Sequence, residues 1–196
     1  MSFSIGGVRI TLGFYFFMTL ALFLLLDTRG AAPLFLTAVL IHELGHLLII
    51  RLLHLPIAQL RLCCPSLGLC LAPEARLSDA AGLALHLAGC AANLAAAGIL
   101  VLVGGGWALR FSAVNMALGL AQLLPVAGLD GGSAVSCLCS MALGPARGMR
   151  AAGVFCRGAA LAGVAACVFF SVRYGVQFSL LAAGLLFGWS FFCAAE

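Results

Sequence analysis

Along this chain, apolar runs of membrane-crossing length alternate with short segments that hold most of its arginines and acids. At about 20 residues per crossing, the pattern predicts about six transmembrane helices, at residues 10–26, 31–51, 80–103, 107–129, 152–172 and 176–194. The first follows Arg9 as a signal peptide would, but its apolar run exceeds the roughly 7 to 15 residues usual for a signal's hydrophobic region. It is therefore read as a retained helix. Between the second and third helices, residues 56–62 and 67–71 alternate only in part and fit two short strands better than a helix, with an amphipathic surface loop as the alternative.

Composition supports the same class. The 196 residues are 64% hydrophobic and 8% charged, with a mean hydropathy of +1.21, which marks a polytopic membrane protein rather than a soluble domain. The chain has no lysine, so orientation follows from arginine. Arg9, Arg51, Arg61, Arg76, Arg147 and Arg150 fall on one side, against Arg29, Arg110 and Arg173 on the other. The excess places both termini in the cytoplasm. Arg157, inside the fifth helix, is expected to snorkel outward. The net charge of +4 thus reflects topology, and without a basic cluster or aromatic-rich RNA motif no nucleic-acid partner is expected.

Nine cysteines form no C-x-x-C pair and predict small buried hydrophobes in a reducing compartment, not a disulfide framework. Glycine-rich third and fifth helices, with Gly82, Gly89, Gly98, Gly153, Gly158 and Gly163, predict close helix approach. No fixed-period repeat or long linker divides the chain, so residues 1–196 are expected to form a single membrane-embedded domain.

One polar group interrupts the second apolar run. His42 and His46 are four residues apart, which on a helix puts them on one face with Cβ atoms roughly 5 to 6 Å apart, close enough for both imidazoles to reach one metal ion. Glu43 lies between them. H-E-x-x-H is the zinc metalloprotease signature, with two histidine ligands and a glutamate general base. Catalytic zinc takes three protein ligands and keeps one open position, so a third donor is required. Asp27, Glu74, Asp79 and Glu196 sit at span ends, in a loop or at the terminus, where acids are solvated. Asp130 instead follows an apolar run, within a segment from Leu124 to Gly132 where Pro125, Gly128, Gly131 and Gly132 interrupt the helix. Unwound backbone at membrane depth is tolerated only where protein or a watery cavity satisfies it. An isolated acid there costs about 2.5 to 3.5 kcal/mol on insertion scales, and a cation removes that penalty. His54 and His86 are expected to be structural, as are Asn115 and Gln122.

These residues resemble the site-2 protease family of intramembrane zinc metalloproteases, whose pattern is H-E-x-x-H in one span and N-x-x-P-x-x-x-L-D-G in a later one. His42, Glu43, His46, Leu129, Asp130 and Gly131 match it. The segment Gly89-Cys90-Ala91-Ala92-Asn93-Leu94 is similar to the family's intervening G-P-x-x-N-L, with Cys90 in place of proline. Six spans with cytoplasmic termini, and no PDZ insertion, look most like the sporulation branch, whose known member processes a membrane-associated pro-sigma factor. The expected chain also lacks the CBS domain common in that branch. Gln122 stands where the family has Asn, and Ser133 where Arg often follows the glycine pair.

The resemblance implies an all-α polytopic fold with a short β-hairpin between the second and third helices, in a bacterial cytoplasmic membrane. It implies one Zn2+ per chain held by His42, His46 and Asp130, with Glu43 as base and proton shuttle and Asn93 helping to hold substrate or the developing oxyanion. The implied activity is regulated intramembrane proteolysis of a membrane-associated protein substrate, with room for an inhibitory membrane-protein partner. Two rivals predict different behaviour. A metal-ion transporter requires several staged sites, and a non-catalytic scaffold with a structural zinc has no use for Glu43.

Overall fold

A computed structural model describes residues 2–5, 8–12, 27, 30–55, 57–63, 66–71, 77–175 and 177–193. Among these, strands β1 (Ser2–Ile5), β2 (Val8–Leu12), β3 (Ile57–Cys63) and β4 (Ser66–Leu71) accompany six helices. The helices are α1 (Ala31–Leu52), α2 (Asp79–Val103), α3 (Gly106–Gln122), α4 (Asp130–Leu143), α5 (Pro145–Tyr174) and α6 (Phe178–Cys193). The chain divides into two compact units, Met1–Leu77 with Ala91–Gly119, and Ser78–Cys90 with Leu120–Glu196.

The first unit contains the sheet, α1, the second half of α2 and most of α3. Strand order is β1-β2-β3-β4, antiparallel except for the β2–β3 pair. Helix α1 is anchored at both ends. At its start the Asp27 carboxylate accepts the N–H groups of Ala31 at 2.9 Å and Ala32 at 2.7 Å, satisfying donors that a helix N-terminus leaves open and complementing its dipole. At its end His54 takes a left-handed φ of +52°, while Leu55 N–H bonds Ile50 O and His54 N–H bonds Arg51 O. That pair of bonds is a Schellman cap with histidine where glycine is usual.

Between those ends α1 is two-faced. Ala38, His42, Gly45, His46 and Ile50 are buried, whereas Leu40, Leu44, Leu48 and Leu52 are each about 60% exposed at i+4 spacing. An exposed leucine stripe on an apolar helix meets lipid, not water. The α2–α3 hairpin is tied by Ser112, whose hydroxyl donates to Ala97 O at 2.8 Å.

The second unit begins with the first half of α2 and continues from the end of α3 through α6. Helix α3 stops at Gln122 because Pro125 has no N–H to continue the ladder. The chain turns at Val126–Leu129, closed by Leu129 N–H to Val126 O at 3.1 Å. Gly128 stands third in the turn at φ +89°, the sign a type II turn demands there. Leu129 is extended and Asp130 opens α4. Gly131 and Gly132 pack so tightly that an added Cβ would collide with the backbone of Leu123–Leu124 and of Val126, respectively. The LDGG sequence therefore folds the broken segment back onto the helix it starts. Gly148 meets the Ser140 backbone, and Gly163 meets the Phe187 ring, so small residues bring α4, α5 and α6 together as expected of membrane helices.

Three helices, α1, α2 and α5, are long and apolar enough to cross a bilayer, and the chain is a membrane protein. Several expectations are corrected. The fourth apolar run ends as a helix at Gln122 rather than 129, and α4 follows it where no helix was expected. Helix α5 starts at Pro145, seven residues before 152, because Gly144 and a proline in the first turn form a helix start. With 17, 14 and 16 residues, α3, α4 and α6 fall below the roughly 20-residue crossing length. The first predicted helix meets β2 at residues 10–12, and its remainder, 13–26, lies outside the described residues. Arg29, Glu74, Arg76 and Glu196 lie outside them too. Arg157 reaches back one turn, its Nε donating to Gly153 O at 3.2 Å.

Candidate metal centre

The histidine pair forms as its spacing dictates. His42 Nε2 and His46 Nε2 are 3.1 Å apart, with ring centroids at 4.8 Å and planes at 81°. Both rings are buried, at 4% and 8% exposure. Two nitrogens bound to one tetrahedral zinc at about 2.0 to 2.1 Å lie about 3.3 Å from each other. The observed separation fits that geometry, and it also fits one imidazole N–H donating to the other ring. Glu43, partly buried, is three residues before His46 and so occupies an adjoining row of the helix surface.

In the second unit, Asp130 is the first residue of α4, where the helix dipole favours a carboxylate. Its side chain is 17% exposed, and each oxygen has a neighbour from α2. His86 Nδ1 is 3.6 Å from Oδ1, and Cys90 Sγ donates to Oδ2 at 4.0 Å. His86 was expected to be structural, and Cys90 was noted only as standing where the family has proline. Their signal was the i, i+4 spacing on the face that also buries Gly82 and Gly89, but nothing in the sequence pointed that face at residue 130.

Asn93 is 0% exposed, and neither its Nδ2 nor its Oδ1 has a hydrogen-bond partner among the described residues. Two amide atoms left unsatisfied in an apolar helix cost several kcal/mol in order of magnitude. Asn115 is also fully buried. Its Nδ2 donates to Phe111 O at 2.9 Å, while its Oδ1 has no partner among the described residues. The Ser112–Ala97 bond sets the level of the helix pair. Asn93 is four residues before Ala97 and Asn115 three after Ser112, which in an antiparallel hairpin brings both amides to within about 2 Å of one level. Two buried, incompletely satisfied amides therefore stand at about one level of the α2–α3 hairpin. Asn115 was expected to bond a neighbouring helix, whereas its recorded hydrogen bond is to its own helix.

No protein-family model matches the chain, and no curated protein matches it. Among solved structures it is similar to the site-2 protease from Methanocaldococcus jannaschii, with a TM-score of 0.67 and 19% sequence identity over 100% of this chain and 96% of that one. At that identity the likeness is one of architecture: the chain has the fold of that site-2 protease.

Proposed function

We propose that this protein is an intramembrane zinc endopeptidase that hydrolyses a peptide bond in or beside a membrane segment of another protein. The observation that carries this reading is the buried His42–His46 pair, its Nε2 atoms 3.1 Å apart on an apolar helix. In this reading the ligands are the residues the motifs imply, His42, His46 and Asp130, two neutral imidazoles and a carboxylate, the donor types that suit zinc. Bound there, zinc supplies Lewis acidity, polarising the scissile carbonyl and bringing the pKa of water toward about 7.

The remaining steps belong to the chain. Glu43 takes the proton from the attacking water and delivers it to the leaving amine. Asn93 presents a buried amide whose Nδ2 can donate to the oxygen of the scissile carbonyl as negative charge develops on it. A peptide bond inside a helix is shielded, so the substrate must unwind. The edge strand β4 offers backbone groups for an extended segment to pair with. Cytoplasmic termini, in a bacterial cytoplasmic membrane, would admit water from the cytoplasmic side. The resemblance to the sporulation branch makes a membrane-associated pro-sigma factor a substrate to try first.

The test co-expresses the chain with a panel of membrane-tethered pro-proteins and follows product size. A product that appears, vanishes with a membrane-permeant chelator and returns with added zinc is expected. A product insensitive to chelation contradicts the reading. Asn93 yields a sharper expectation. Replacing it with Leu removes two unsatisfied amide atoms, so thermal stability should rise, by about 1 to 3 kcal/mol, while cleavage falls by about 10²-fold or more. A variant that is less stable and equally active would assign Asn93 to packing.

A further inference from the structure

His86 and Cys90 are one turn apart on α2, and they reach different oxygens of one carboxylate forty residues further along the chain. Cys90 is 1% exposed and occupies the position where the resembling family has proline, which has no side-chain donor. We propose that His86 and Cys90 form a clasp that fixes the Asp130 carboxylate in its ligating orientation, making both of them positioning residues of the metal centre. This rests on Asp130 being a zinc ligand.

An aspartate has two rotatable side-chain bonds, and a metal that must order them loses affinity. A carboxylate already held at both oxygens avoids that loss. Each oxygen has two lone pairs, so a donor at Oδ2 and a polar neighbour at Oδ1 still leave acceptor positions for a cation. The Cys90 thiol donates its S–H to Oδ2, and His86 Nδ1, at 3.6 Å from Oδ1, acts as an electrostatic neighbour rather than a hydrogen-bond donor. Carboxylate ligands of metal sites are regularly held by such outer-shell partners, and removing one typically weakens metal binding by about 10- to 100-fold.

The measurement is the zinc affinity of the purified full chain in detergent, by chelator competition, for wild type, His86→Ala, His86→Asn, Cys90→Ala and Asp130→Ala. His86→Ala and Cys90→Ala should each lose about 10- to 100-fold with the metal-free thermal transition unchanged. His86→Asn, whose Nδ2 can replace the imidazole Nδ1 as the polar neighbour of Oδ1, should recover most of that loss, which a purely steric role would not allow. Wild-type zinc affinity in His86→Ala, with binding lost in Asp130→Ala, would overturn the clasp and leave the ligand set standing. Undiminished binding in Asp130→Ala would overturn both.

Discussion

Glu43→Gln should leave zinc binding intact and lower the rate of cleavage by about 10³-fold, within the range that general acid–base catalysis supplies. Glutamine preserves the size and hydrogen-bonding shape of the side chain but cannot accept a proton at neutral pH, so water loses its base and the leaving amine its acid. Neither histidine changes. The loss should appear in kcat, since binding of a long membrane segment depends on many contacts and this proton transfer occurs only in the transition state. Product size with wild type and variant at matched expression checks it, together with bound zinc. Normal cleavage by a zinc-loaded Glu43→Gln protein would remove Glu43 from the mechanism and favour a site that merely stabilises the fold.

Asp130→Ala should abolish zinc retention, weakening it by more than about 10²-fold, beyond what loss of a supporting partner costs. Two neutral imidazoles alone leave the dication's charge uncompensated in an apolar surrounding, whereas the carboxylate offsets half of it. The folding cost is of a different order. Removing an acid from the first turn of a helix costs about 0.3 to 1 kcal/mol, too little to unfold a packed membrane protein. Zinc loss with an unchanged metal-free thermal transition is therefore expected, and it separates ligand removal from collapse. Asp130→Asn refines the test, because it retains the shape and one acceptor while removing the charge. Zinc loss there as well would identify charge as the deciding quantity.

What the sequence revealed depended on how local the cause was. Helices α1 and α2 are within one residue of their predicted bounds, because long apolar runs with flanking polar residues need no tertiary information. The His42–His46 geometry follows from helical spacing alone. The break after α3 was visible in Pro125 and Gly128, yet α4 was not, since Gly131 and Gly132 argue against a helix until their close packing against residues 123–126 is known. Strand β2 was hidden by hydropathy. Val8-Arg9-Ile10-Thr11-Leu12 alternates in the strand period, but its apolar members merge with the run that follows. His86 and Cys90 were illegible for another reason: their partner is distant in sequence, and only packing within the second unit brings it near. Asn93 was legible as a motif position, whereas the lack of hydrogen-bond partners that gives it energetic weight emerges from the fold.

The most direct measurement is X-ray absorption at the zinc edge on the purified, zinc-loaded chain, alongside Asp130→Ala. About one zinc per chain with two imidazole nitrogens, oxygen ligands and no sulfur is the predicted result, with the metal lost in the variant. Sulfur in the coordination shell, or an unchanged spectrum and metal content in Asp130→Ala, would contradict it.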